Sequence, residues 1–403
     1  MKPRALVVAG MALAVAAALA SAAARGPVAS QPAVAAAAPV PLDADGFRLA
    51  VPPYAFEFPY DHAAHPTFRT EWWYYTGHLR AGERRFGFEL TFFRIALTAR
   101  AAAGSAASSA SAWRARQVIF RHLALTDETG NRFRYDDRAE RQALDLAGAD
   151  STRYLVWVGD DYAGLEADRT THRLVGHAPG FALDLKLTPE RPPVFHGRDG
   201  VSQKSAGLGN ASHYYSYTRL ATRGKLVLGS DTLAVEGRSW MDHEFGSDQM
   251  RNTHTGWDWF SVQLADGRDL MLYRLRTVDG RLDSCSSGTL VEADGSTRML
   301  VKDEFETRSR GQWVSPHTGG RYPSGWEVRV PSALLTLQLE PMVADQELVA
   351  PTMGGVSYWE GSVVVSGTSA GKPVRGEGYV ELTGYVGRSP FQGPALDSLR
   401  KVR

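Results

Sequence analysis

The chain of 403 residues contains one cysteine, Cys285, so an internal disulfide is impossible and a Cys-based metal cluster has no ligands. There is no phosphate-binding glycine loop and no dinucleotide fingerprint, and an α/β-hydrolase nucleophile elbow is unsupported. Charge of one sign is also missing. The full chain has 45 Lys+Arg against 44 Asp+Glu, and without residues 1–25, which hold Lys2, Arg4 and Arg25, the balance is 42 against 44, or −2. No basic field is present to attract nucleic acid. After the first 24 residues no apolar run is long enough to span a bilayer as a helix.

What is present begins with a short basic start, Lys2 and Arg4, followed by a small-residue apolar run from Ala5 to Ala24. This pattern predicts a cleavable export signal over 1–24, with the cut near Ala22 or Ala24, and a location that is periplasmic or secreted. No cysteine follows the run, which removes a lipoprotein anchor. Residues 25–46 are rich in Ala, Pro and Val and read as a flexible leader. The remaining length exceeds what one core usually fills, so two domains are expected, at 47–240 and 241–388, with a tail at 389–403 and the joint near 235–250.

Period-two alternation dominates that folded stretch. Phe86, Phe88, Leu90 and Phe92 alternate with Gly87, Glu89 and Thr91, and Phe181, Leu183, Leu185 and Leu187 with Ala182, Asp184 and Lys186. Trp326, Val328 and Val330 behave likewise. Near the end, Tyr379, Glu381, Thr383 and Tyr385 share one face, while Val380, Leu382 and Val386 share the other. Asp266-Gly267, Asp279-Gly280 and Asp294-Gly295 mark turns. The expected class is all-β, as two consecutive β-barrel or sandwich domains. The Ala- and Ser-rich stretch 99–115 reads as an inserted loop, and 138–148 as one short helix.

Several clusters combine polar and ionisable groups with large aromatics. In Glu71-Trp72-Trp73-Tyr74-Tyr75, Glu71, Trp73 and Tyr75 face one way and Trp72 and Tyr74 the other, so both faces need cover. His213, Tyr215 and Tyr217 share a face. Trp240-Met241-Asp242-His243-Glu244-Phe245-Gly246 points Asp242 and Glu244 together and His243 away, which disfavours convergence on one metal ion. In Trp257-Asp258-Trp259-Phe260, Trp257 and Trp259 share a face, and Asp258 falls among apolar neighbours. A carboxylate there must be hydrogen-bonded, protonated, or paired across the sheet, for instance to Arg274. Tyr273-Arg274 and Tyr358-Trp359-Glu360 have the same mixed character.

Taken together, Glu71–Gly77, His213–Ser216, Trp240–Gly246, Trp257–Phe260, Tyr358–Gly361 and Gly378–Tyr385 resemble the lipocalin-like superfamily of carotenoid 1,2-hydratases and AttH-type secreted proteins, across residues 50–388. The resemblance implies two consecutive lipocalin-like domains. Its hydratase branch adds water to a terminal double bond of acyclic carotenoids, and related fungal proteins guide cycloadditions. The motif aspartate would be Asp242 or Asp258. Phe245 departs from the Trp that many relatives carry there.

These readings converge on a hydratase-like lyase for a bulky apolar substrate, isoprenoid or secondary metabolite, working without cofactor or metal. Asp242, His243, Glu244 and Asp258 are its candidate acid–base groups. Glu71, Trp73, Tyr75, His213, Tyr215, Trp257, Trp259, Tyr273, Arg274 and Tyr358 are its candidate substrate contacts. Two alternatives are a monomeric periplasmic carrier of a lipid or metabolite, and a secreted hydrolase or cyclase using Ser239 or Ser261 beside His243 or His254. At least three of Trp73, Tyr75, His213, Asp242, Trp257 and Trp259 should line one cavity. One of the four acids Glu71, Asp242, Glu244 and Asp258 should be buried and hard to ionise.

Overall fold

The computed structural model describes residues 41–99, 116–247, 250 and 253–387. The expected export signal and C-terminal tail fall outside these residues, as does the inserted loop from residue 100 on. Among the described residues, all strand pairings are antiparallel, and helix is limited to four 3₁₀ turns of three residues each. No helix there is long and apolar enough to cross a membrane.

The chain is all-β and builds two β-sheet domains. The first sheet has 13 strands. Its centre is the run Gln117–Asp127, Arg84–Ala96, Thr70–Ala81, Asp231–Gly246 and Ala211–Leu228, in that spatial order. The edge strand Arg132–Arg141 curls back against Ala147–Ala149 and Leu155–Val158, giving a nearly closed barrel. The second sheet has 10 strands and forms a curled half-barrel around Asp269–Thr277, His254–Leu264, Lys372–Val386 and Val356–Ser369. The last strand of the first sheet ends at Gly246, and the first strand of the second begins at His254.

Alternation sends one face of each strand into a core. Trp73, Tyr75, Phe86, Phe88, Leu90 and Phe92 fill the barrel. Phe260, Val262, Leu337, Trp359, Val380 and Leu382 fill the half-barrel. The other faces of the same central strands are buried as well, because the two sheets pack against each other. Tyr74, Tyr214 and Trp240 meet Trp259, Met271, Tyr273 and Tyr379 in one apolar cluster between the sheets. Phe93, Phe120 and Ile95 meet Leu348, Ala350 and Tyr358 in another. This double burial explains the Trp-Trp-Tyr-Tyr run.

Two expectations are corrected. The helix over 138–148 is instead the end of the strand Arg132–Arg141, a turn, and the start of Ala147–Ala149. Pairing with Gln117–Asp127 overrides local propensity, and Leu144 and Asp145 turn the chain with φ of 53° and 59°. Tyr385 leaves the face of Tyr379 and Glu381. Gly384, at φ 70°, accompanies a register shift against the neighbouring strand, and Tyr385 turns to Asp258 and the half-barrel core.

The seam leaves little room at Gly87. A Cβ there would lie 2.5 Å from the Tyr379 hydroxyl and 2.7 Å from Ser362 Cβ, both on the second sheet. We expect Gly87→Ala to destabilise the fold by about 1–3 kcal/mol in urea unfolding through this overpacking. Unchanged stability would contradict a tight seam.

Candidate functional site

Between the sheets lies a narrow cleft that opens to solvent. Trp72, Tyr74, Tyr214, Asp242 and Glu244 line it from the first sheet, with Phe93 at its side and Lys204 on a loop. Trp257, Trp259, Tyr273, Leu275 and Glu381 line it from the second sheet. Its wall is mostly aromatic.

Asp242 is 4 % exposed in this wall. The Tyr214 hydroxyl donates to its Oδ2 at 2.6 Å, the Trp240 indole N–H to its Oδ1 at 2.6 Å, and the Ser216 hydroxyl donates as well. Burial is the largest influence and disfavours the charged form. The three hydrogen bonds oppose it, the charge of Glu244 reinforces it, and the carboxyl is pushed up to about 7. Of the four acids singled out from sequence, Asp242 has the environment expected of a neutral-pH proton donor.

Glu244, two residues on and on the same face, has a different environment. Lys204 Nζ approaches its Oε1 at 2.9 Å and the Ser212 hydroxyl donates to the same oxygen. The ammonium also stands 4.2 Å from the centre of the Tyr273 ring and 4.9 Å from that of Tyr214. Burial pulls the Lys204 ammonium toward neutrality, but Glu244 and the surrounding oxygens outweigh it and raise its pKa. Among the described residues the cleft therefore holds a buried ion pair beside an acid with no cation of its own.

Asp258 points away from the cleft, to the opposite face of its strand. Arg274 Nη1 lies 3.2 Å and Arg276 Nε 3.0 Å from its carboxylate, and the Tyr385 hydroxyl donates at 3.0 Å. Arg274 thus serves the cross-sheet ion pair, and neither group lines the cleft.

Several predicted residues lie on the barrel side. Glu71 Oε1 accepts from His65 Nδ1 at 2.7 Å and His243 Nε2 at 2.9 Å, while Arg94 Nε donates to Oε2 at 2.9 Å. His65 Nε2 reaches Asp61 at 3.0 Å, and the Tyr215 hydroxyl lies 3.0 Å from His243 Nδ1. Trp73 stacks on His243 at 4.9 Å, and the Tyr75 hydroxyl bonds Tyr154 and His172. His213 stacks on Tyr54 at 3.9 Å, with Nδ1 donating to Gly200 O. Tyr358 bonds His122 across the seam at 2.7 Å and does not line the cleft. His65, Glu71 and His243 bring ligand-type atoms within 4.8 Å of one another. Burial opposes ionisation of Glu71, but Arg94 and His65 outweigh it and depress its pKa. Burial likewise opposes the charge on His65, and Glu71 and Asp61 raise its pKa. Two carboxylates thus balance one guanidinium and one imidazolium, and every lone pair of Glu71 has a donor. The trio is thus part of a buried ion network, and its ligand-type atoms could also hold a metal ion.

Sequence reasoning missed Lys204, Tyr214 and Glu381. Alternation puts Tyr214 opposite the face of His213 and Tyr215, and Glu381 beside Tyr379, so both were within reach. Nothing in the sequence marks the loop residue Lys204. As for a nucleophile, Ser239 bonds Thr222 at 2.7 Å and Ser261 accepts from the Tyr379 N–H at 3.3 Å. The imidazoles of His243 and His254 are turned to Glu71 and Asp283. One Gly-x-Ser-x-Gly string does occur, Gly367–Gly371, but it is a hairpin turn between two antiparallel strands, not a strand-to-helix elbow.

A family model described as AttH-like matches residues 49–385. The crystal structure of an AttH candidate from Nitrosomonas europaea is 34 % identical and superposes with a TM-score of 0.75, covering 84 % of this chain and 100 % of that one. Kievitone hydratase of Fusarium solani subsp. phaseoli is 24 % identical over 243 residues, which span 58 % of this chain and 66 % of that relative's length. The crystal structure of kievitone hydratase from Nectria haematococca shares the fold, with a TM-score of 0.64 at 15 % identity over 86 % of this chain and 98 % of that one.

The Lys204–Glu244 pair generates a stability prediction. Lys204→Met should cost about 3–5 kcal/mol, because it leaves a buried carboxylate without its cation. Adding Glu244→Gln should recover much of that loss. A double-mutant cycle by urea unfolding reads both, and a Lys204→Met protein as stable as wild type would contradict the buried pair.

Proposed function

The chain belongs to the AttH-like family, and from that premise we propose that it is a hydratase-like enzyme adding water across a carbon–carbon double bond of a bulky apolar substrate held in the cleft. The observation that carries this reading is Asp242, a buried carboxyl held near neutrality in an aromatic wall. That a curated relative is a hydratase by name supports it.

In this reading the apolar substrate displaces water from the faces of Trp257, Trp259 and Tyr273. The Asp242 carboxyl gives its proton to one alkene carbon, and the positive charge that develops on the other carbon is stabilised by the ring faces. A water oxygen attacks that carbon. Glu244, fixed by Lys204, accepts a hydrogen bond from this water and orients it. The proton that the water loses returns to the Asp242 carboxylate, so the acid is regenerated and the product is an alcohol. His243 takes no part, because it faces the barrel.

Incubating the purified protein with a panel of acyclic prenyl substrates in heavy-oxygen water tests the reading. Labelled alcohol is expected, falling about 10²–10⁴-fold with Asp242→Asn. Since the acid must be protonated, the rate should decline as pH rises through about 7. A panel that yields no label, with ligand affinity unchanged in Asp242→Asn, would replace the enzyme reading with that of a binding protein.

A further inference from the structure

A second group of acids runs from the cleft into the seam between the sheets. Glu381 lines the cleft from the second sheet, and the Trp257 indole N–H donates to its Oε2 at 2.7 Å. Glu360 is its direct cross-strand partner, so the two carboxyls stand on the same face of the half-barrel. The Tyr74 hydroxyl, itself in the cleft wall, donates to Glu360 Oε1 at 2.7 Å. Two contacts then align the sheets. Gly87 sits against Ser362, and His122, the register partner of Thr91, bonds Tyr358. Stepping two residues from Gly87 gives Glu89, and two from Ser362 gives Glu360. The alignment therefore sets these two carboxyls facing each other across the seam.

Among the described residues none of the three acids forms an ion pair, although the Arg121 charge acts on Glu89 from the barrel side and opposes the effect of burial there. The nearby cations are committed elsewhere: Lys204 to Glu244, Arg274 and Arg276 to Asp258, His78 to Glu128, and Arg121, on the barrel face, to Asp136 and Asp161. The other titratable groups facing them are the tyrosines 74, 358 and 379 and the acids Asp242 and Glu244. Glu89 and Glu360 are 1 % and 0 % exposed, Thr91 on the same strand is the polar side chain that favours the charged form of Glu89, and Oε2 of Glu360 has no hydrogen-bond partner among the described residues. Three carboxylates packed this way cannot all carry charge.

We propose that Glu381 is a second acid of the cleft, standing on the wall across from Asp242 and kept in its neutral, proton-bearing form by the carboxyl ladder of Glu360 and Glu89 behind it. Glu360 and Glu89 are positioning residues in this scheme, acting through Glu381. The ladder presents an O–H donor on the wall of the second sheet, suited to a neutral oxygen function or to the π-bond of a bound apolar substrate and hostile to an anion. Electrostatics agree: burial, with the Glu89, Asp242 and Glu244 charges adding to it and the Trp257 hydrogen bond opposing, pushes Glu381 up to about 8. Burial pushes Glu89 up to about 7, and burial together with Glu381 and Glu89 pushes Glu360 well above the usual range.

Trp257 makes the idea measurable without a substrate. In nitrogen-15 NMR of the full chain, with the Trp257 indole assigned by Trp257→Phe, its N–H resonance should shift with a midpoint near 8. Glu381→Gln should remove the transition, and Asp242→Asn should leave one. A resonance that stays flat between pH 6 and 9, or a transition that survives Glu381→Gln, would overturn the proposal. The ladder has its own readout. A raised folded-state value contributes stability that is fully present below the unfolded value near 4.5 and is lost as pH rises through the folded one. Wild-type melting temperature should therefore fall from pH 6 to 9, and Glu360→Gln should fall less. An equal fall in both would remove Glu360 from the scheme. The catalytic extension rests on the hydratase reading. If wild type hydrates a substrate, Glu381→Gln should lower kcat about 100-fold with KM little changed. Equal kcat would overturn the acid role and leave the hydratase standing, whereas a Trp257 transition in a protein that hydrates nothing would do the reverse.

Discussion

The structure depends on one constraint: the outer face of the barrel strands Thr70–Ala81 and Arg84–Ala96 must be covered by the half-barrel. A β-strand shows its side chains alternately to two sides, and here both sides carry large aromatics. Inside the barrel they meet each other. Outside, they have only the second sheet to meet. The cost is that every polar group on those outer faces is taken from water too. Some find partners across the seam, as His122 does with Tyr358 and Tyr74 with Glu360. Others, such as Glu89, do not. The cleft is the place where the two sheets diverge enough to leave space, so it inherits the aromatic walls and the dry acids of the seam.

That inheritance sorts the carboxyls by environment rather than by residue type. Glu71 and Asp258 are as buried as Asp242, yet each is held by arginines and stays with an ion network. Glu244 has Lys204. Among the described residues Asp242 has only neutral donors, and burial wins. A chain with Asp, Glu and His crowded into a few residues thus separates them into a structural ion network on the barrel side and a proton-carrying wall on the cleft side, simply by strand alternation.

Much of this was legible before any coordinates. The run Phe86–Phe92 announced a strand and a core face, and the Trp72–Tyr75 run announced burial on both sides. Family motifs added the two-domain arrangement. Alternation also placed Asp242 with Glu244 and set His243 apart. What could not be read was partnership across distance. Alternation offers Arg274 to Asp258, as found, but that Arg276 joins the pair while, among the described residues, Asp242 lies without a cation is decided by sheet register. Lys204 lies in a loop with no periodicity to place it. Strict alternation puts Tyr385 on the wrong face, because a single left-handed glycine, Gly384, breaks the pattern. The helix expected at 138–148 failed because its residues complete a barrel edge, where pairing with the neighbouring strand outweighs local preference.

Asp242 is a neutral-range acid because its burial outweighs the three hydrogen bonds it accepts. Carbon-13 carboxyl NMR on aspartate-labelled protein, with Asp242 assigned by Asp242→Asn, measures it directly. A titration midpoint near 7 is expected, moving further up in Tyr214→Phe as one stabilising donor to the carboxylate is lost. A midpoint at or below the ordinary aspartate value of 3.8 would contradict it, and would return Asp242 to the same structural role as Asp258.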